Sequence, residues 1–236
     1  MRISTDPLSR NLGAQISGVD LSKPFNDSAW AQILDAFHQH QILLFRDQIL
    51  TSEQHIGFSR RFGDLEIHVC EQYLMPEHPE ILLLTNEQDE KGKRVSIADG
   101  GSGWHSDLSY MKRPSLGSLL YAVRVPETGG DTEWANMYMG YAALPKKLKE
   151  KIAGLKAVHQ FDLAENPRFG MPKEIIGKQT KGSIWEKTSD AIKARTPDAV
   201  HPIIRTHSIT GRKALFVTRR FTTRIVDMDA NEGEAL

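Results

Sequence analysis

The sequence predicts an α+β chain, mainly β, and three observations lead there. Helical periodicity is confined to a few short stretches. Apolar runs of strand length, bounded by turn residues, recur along the chain. The 236 residues suffice for one sizeable core, and no repeat or linker divides them, so a single domain over 1–236 is expected.

The clearest helix runs from Asn26 to His40. Asn26 or Asp27 can cap it, and Trp30, Ile33, Leu34 and Phe37 fall at i, i+3, i+4 and i+7 on one face. QILLFRDQ follows as a short buried strand. Thr51 and Gln54 have capping-box spacing, which starts a second helix reaching about Phe62. ILLLT (81–85) and GSLLYAVRV (117–125) read as strands, separated by an exposed polar loop over 86–103. Pro126 and Gly129-Gly130 mark a turn before a short DTEWA strand.

Residues 138–154 read as two helical pieces split at Leu144-Pro145, because proline disfavours helix in the residue before it. Residues 163–200 show no sustained period and are expected to form a long loop, either a lid or a surface excursion. HPIIRTH (201–207) and ALFVT (214–218) flank Thr210-Gly211 as a strand-turn-strand hairpin. The tail MDANEGEAL begins a capped helix.

Thirty basic and thirty acidic residues balance, so no global field recruits nucleic acid or an anionic membrane. The single cysteine, Cys70, excludes an intramolecular disulfide framework and suits a reducing compartment. No apolar segment approaches bilayer length and the N-terminus lacks a signal-peptide core, so a soluble, cytoplasmic protein is expected.

GWHSDLSY (103–110) places His105 and Asp107 one residue apart. At a strand end, residues i and i+2 share a face roughly 6–7 Å apart, so both side chains could reach one ion. Two histidines and one carboxylate on one face are the donor set of many non-haem iron(II) oxygenases. Taken alone, such a triplet is more often a surface histidine beside a solvated aspartate.

The flanks add to it. LGAQISGVDL (12–21), HQILLFRDQ (40–48), PETGGDTEW (126–134), HPIIRTHSITGRKALFV (201–217) and FTTRIVDM (221–228) accompany GWHSDLSY. With these motifs in this order, the chain resembles the taurine/2,4-dichlorophenoxyacetate dioxygenase family of iron(II)- and 2-oxoglutarate-dependent oxygenases, from about residue 8 onward.

That resemblance implies a double-stranded β-helix (jelly roll) with flanking helices, with Fe(II) as cofactor and 2-oxoglutarate and O2 as co-substrates. The product side is succinate and CO2, with hydroxylation of a small polar substrate, a sulfonate or carboxylate of taurine-like size. His105 and Asp107 match two iron ligands. Thr132 of the GGDT motif matches the residue that contacts 2-oxoglutarate, although a β-branched strand residue is its plain reading. His68 in FGDLEIH matches a histidine that taurine-specific members use on the sulfonate, and a half-buried histidine after a helix is the alternative.

Glu71 and Gly101 stand where those members carry a tyrosine and an asparagine, which puts taurine itself in doubt. Trp104 and Phe221 are expected to pack around the site, more as ordinary core than as specific substrate contacts, while Arg205 and Arg219 match no family arginine and read as structural. The family's second histidine ligand and its 2-oxoglutarate arginine should lie beyond Leu236, so the last strands are expected to be missing from this chain. His201 and His207 match a different motif.

Three readings follow from the resemblance. The first is an oxygenase. The second is an inactive truncated member serving as a binding or assembly module. In the third, His207 or a partner subunit completes the metal site. The resemblance also leaves room for a homo-oligomer.

Overall fold

The computed structural model describes residues 3–88, 90, 95–96, 101, 103–161 and 188–236. Helices and short strands intermix along these residues, which gather into two compact units. No helix among them is long and apolar enough to cross a membrane.

The first unit comprises Met1–Asp64, Leu120–Ala143 and Thr206–Ala214. Strand β1 (Ser4–Pro7) pairs antiparallel with β2 (Ala14–Ser17), which runs parallel to β3 (Leu43–Phe45). A parallel pair needs a crossover, and helix α1 (Asp27–His40) supplies it. The Asn26 side chain caps α1 by accepting from the Ala29 N–H, and Gln41 ends it in the left-handed region at φ 65°. Helix α2 (Ser52–Ser59) opens with the expected capping box, in which Thr51 and Gln54 each accept the other's backbone N–H. It runs on into a 3-10 turn over Arg60–Phe62.

Ile33 of α1 is fully buried here. Trp30, Phe37, Phe45, Phe58 and Phe62 meet edge to face, the arrangement that aromatic quadrupoles favour. Helix α3 (Met137–Ala143) also belongs to this unit. Asn136 accepts the Tyr138 and Met139 N–H groups at its start and donates to the Asn11 carbonyl.

The second unit comprises Leu65–Leu119, Leu144–Arg205 and Leu215–Leu236. It contains a hairpin of β4 (Leu74–Met75) and β5 (His78–Leu82), then helix α4 (Lys146–Ile152). Its platform is a three-stranded antiparallel sheet with β6 (Lys156–His159) in the middle. On one side lies β7 (Ala199–Pro202), with His159 opposite Ala199. On the other lies β10 (Thr222–Ile225), with Thr222 opposite His159 and a bulge before Arg224. Ile152, Ala157, Ile203 and Ile225 form the core beneath it. Helix α5 (Asp190–Arg195) is capped by Ser189, and α6 (Ala230–Ala235) by Asp229.

Strands β8 (Ile204–Thr206) and β9 (Lys213–Leu215) form the expected hairpin, with Gly211 at φ 67° in the turn. Leu144-Pro145 separates α3 from α4 as the proline predicts.

Several expectations are corrected. GSLLYAVRV forms no strand despite its apolar, β-branched make-up. Among the described residues no strand pairs with it, and Leu120, Val123 and Val125 are exposed. DTEWA is likewise irregular, and the ILLLT strand is shifted so that β5 ends at Leu82. Residues 163–187 of the expected lid, and much of the 86–103 loop, lie outside the described residues. Residues 188–200 are not irregular, since they carry α5 and the start of β7. A six-residue helix is too short to show a periodic stripe.

A candidate metal centre at the HSD turn

His105 and Asp107 do not lie on a strand. Residues 103–110 form a turn in which Gly103 and Leu108 adopt positive φ, 76° and 53°, incompatible with extended backbone. The Met111 N–H closes it onto the Leu108 carbonyl at 2.9 Å. The turn nevertheless brings the two side chains together, with His105 Nε2 3.1 Å from Asp107 Oδ1.

The outer contacts define what those atoms carry. His105 Nδ1 lies 2.8 Å from the Gly103 carbonyl oxygen, which can only accept, so Nδ1 bears the hydrogen. The Arg220 Nη1 group, 3.4 Å from the same nitrogen, is then a neighbouring charge rather than a hydrogen-bond donor to it. Ser118 donates to Asp107 Oδ2 at 2.6 Å. Pairing with His105, helped by Ser118, outweighs burial and lowers the Asp107 pKa to about 2, so the carboxylate is ionised at neutral pH. With Nδ1–H committed to Gly103, Nε2 meets the carboxylate as an N–H donor where it holds a proton and as a lone pair where that proton is displaced. Across 3.1 Å the two atoms can therefore share either a proton or a metal ion.

A metal ion fits this pair. Adjacent ligands each about 2.1 Å from an ion and at right angles are about 3 Å apart, close to the observed separation. Ligating histidines usually donate the other ring N–H to a carbonyl or carboxylate, the part that Gly103 plays here. Among the described residues, no third His, Cys, Asp or Glu joins the two.

The turn is held from behind by the platform sheet. His159 of β6 meets Ser109 Oγ at 3.1 Å, and His201 of β7 lies 3.0 Å from the Met111 carbonyl through Nε2. Burial is the leading cause that lowers the pKa of each, His159 to about 4, so both act as neutral hydrogen-bonding rings. Phe221, 4% exposed, stands edge-on to His105 with ring centres 5.7 Å apart. His68 shares this surrounding: its Nε2 lies 3.3 Å from the Tyr110 hydroxyl, and Tyr110 packs between Phe161 and Phe221.

The profile of the taurine catabolism dioxygenase TauD, TfdA family matches residues 4–236. The chain belongs to that family. It is 32% identical to an (S)-phenoxypropionate/alpha-ketoglutarate-dioxygenase of Sphingobium herbicidovorans, over 98% of this chain and 75% of the relative. It is 28% identical to an alkylsulfatase of Acinetobacter baylyi, over 97% of this chain and 67% of that protein. In structure it matches a taurine dioxygenase from Burkholderia xenovorans at TM-score 0.74 and 29% identity, covering 99% of this chain and 69% of that one. The chain is thus a member of a family of 2-oxoglutarate-dependent dioxygenases.

The other expected residues of this TauD/TfdA chain are unevenly placed. His68 stands beside Tyr110 in the unit that carries His105 and Asp107. Thr132 belongs to the other unit and is exposed. Glu71 makes an ion pair with Arg195 of α5, which neutralises the carboxylate that stands in a tyrosine's place. Trp104 is 58% exposed rather than packed, a correction to its expected role. Arg205 lies over the Phe216 ring at 4.4 Å, a structural use. His201 is engaged with Met111, and His207 accepts the Ile209 and Thr210 N–H groups in the hairpin turn of the first unit.

Sequence reasoning missed Ser118, Arg220 and Tyr110. Tyr110 ends the quoted GWHSDLSY and Arg220 directly precedes FTTRIVDM, so adjacency to a motif was the available signal. Nothing local marked Ser118.

Proposed function

We propose that the chain carries the His-x-Asp half of an iron(II) centre in a 2-oxoglutarate-dependent dioxygenase that hydroxylates a small organic anion. The observation behind this is the facing of His105 Nε2 and Asp107 Oδ1 at 3.1 Å with both outer hydrogen bonds already made. Iron(II) held there would supply O2 activation coupled to oxidative decarboxylation of 2-oxoglutarate to succinate and CO2, with one oxygen delivered to a substrate C–H bond.

The chain's own residues orient and exclude. Gly103 and Ser118 aim the two ligands, and Phe221 keeps water from one side of His105. By match to the family motif, the Thr132 hydroxyl donates to a carboxylate of 2-oxoglutarate, and His68 belongs to the substrate subsite. The substrate class, an organic oxyanion, is read from relatives named as a phenoxypropionate dioxygenase, an alkylsulfatase and a taurine dioxygenase. The sheets are read as part of a double-stranded β-helix, in line with the likeness to the Burkholderia enzyme.

The second reading is a binding or assembly module, in which the His105–Asp107 pair serves no catalytic metal. Anaerobic titration of Fe(II) and 2-oxoglutarate, followed by visible absorption, separates the two. The oxygenase reading expects a charge-transfer band that vanishes in His105→Ala and Asp107→Ala, and succinate on admitting O2. A chain that binds neither would leave the module reading standing.

A further inference from the structure

The hydrogen bonds around His68 define its tautomer. The Cys70 backbone N–H donates to His68 Nδ1 at 3.1 Å, so Nδ1 is the accepting nitrogen. A neutral imidazole then carries its hydrogen on Nε2, and Nε2 points at the Tyr110 hydroxyl oxygen 3.3 Å away. Burial, the largest influence on this ring, lowers its pKa and so favours the neutral form, with Asp107 acting against it and Arg220 in the same direction as burial. His68 therefore has both ring nitrogens engaged within the protein and no donor left for a ligand.

Tyr110 accepts from His68, so its own O–H must donate elsewhere. The residue is 2% exposed, and among the described residues its hydroxyl meets no partner other than His68. A buried donor without an acceptor is rare in folded proteins and calls for an acceptor from outside the chain, a ligand atom or an ordered water.

The position is informative. The Tyr110 ring centre is 5.0 Å from that of Phe221, which is 5.7 Å from that of His105, so one aromatic ring separates the phenol from the candidate metal centre. Phe161, at 4.7 Å, covers another side. Arg220, 8% exposed, adds positive charge felt by Tyr110, His68 and Asp107 alike.

We propose that Tyr110, held in place by His68, donates the hydrogen bond that recognises an oxyanion of the substrate, so that Tyr110 sets specificity and His68 is its positioning residue. This rests on the oxygenase reading and refines its substrate subsite. A carboxylate and a sulfonate offer the same acceptor chemistry, and 2-oxoglutarate is the other source of it.

The test measures binding of ethanesulfonate, phenoxypropionate and 2-oxoglutarate separately to the full chain and its variants by NMR, with histidine 15N signals reporting the ring tautomer. Tyr110→Phe keeps the ring packing and is expected to weaken whichever of the first two binds better by about tenfold or more, the loss typical of a hydrogen bond to a charged group. Binding of 2-oxoglutarate should stay unchanged. His68→Ala should weaken the same probe, and His68→Gln, whose amide N–H restores a donor to Tyr110, should recover most of it. The proposal is overturned if Tyr110→Phe binds both probes like the wild type, if 2-oxoglutarate is lost in parallel, if the wild type binds neither probe, or if His68 is not the Nε2–H tautomer. The iron–2-oxoglutarate absorption band reads the metal centre alone, so its loss in the wild type sinks the oxygenase reading separately.

Discussion

Ser118 Oγ donates to Asp107 Oδ2 across 2.6 Å and eleven positions of chain, leaving Oδ1 to face His105. An outer hydrogen bond of this kind orients a ligating carboxylate, and its removal typically costs about 10–100-fold in metal affinity. Ser118→Ala is expected to raise the Fe(II) or Mn(II) dissociation constant within that range while circular dichroism stays unchanged. Competition against a fluorescent chelator measures it, and wild-type affinity would make the contact incidental.

His159 predicts the acid behaviour of the fold. Its pKa is lowered to about 4 inside the protein, mainly by burial and next by His201, against 6.5 for the ordinary group. The unfolded chain therefore binds the proton more readily, and stability falls as pH drops from about 6.5 toward 4. At about 1.4 kcal/mol per pK unit, the full loss is on the order of 3 kcal/mol. Urea midpoints at pH 7.5, 5.5 and 4.5 should show this slope in the wild type and a shallower one in His159→Gln. Identical slopes would remove His159 from the account.

Glu71 is held by Arg195, and both side chains are largely solvent-exposed. Exposed pairs contribute about 0–1 kcal/mol, so Glu71→Gln should shift the urea midpoint little. Because the carboxylate is already paired, the substitution should also leave the binding of ethanesulfonate within about twofold of wild type. Markedly tighter binding would mean that Glu71 faces the ligand and opposes it.

Val123 lies in a stretch whose composition favours a strand, yet it is 86% exposed. Val123→Ser is therefore expected to change stability by no more than about 0.5 kcal/mol. A loss of about 1–2 kcal/mol, the size expected for a side chain taken out of a core, would mean that the stretch is covered.

The helices were legible because their signals are local. Asn26 and the Thr51–Gln54 capping box satisfy N–H groups within the same turn, and the proline at 145 acts on the residue before it. Strands were legible only where pairing agreed with composition. GSLLYAVRV carries the composition without a paired neighbour, whereas the four-residue β6 has little pattern and sits at the centre of a sheet, because a strand exists only through its partners.

The sequence by itself determined the family, the capped helices, and the nearness of His105 to Asp107, since side chains one residue apart stay close in a turn as well as on a strand. Only the tertiary structure decided how that pair is used. It placed Ser118 on Asp107, His159 on Ser109 and His201 on Met111, contacts spanning 11, 50 and 90 positions. It put Arg220 rather than Arg205 or Arg219 beside His105, and gave the second nitrogen of His68 to Tyr110. Dihedral preferences and caps act within a few residues, while these hydrogen bonds depend on sheet register and on which loops the strands bring side by side, which local residue order does not encode.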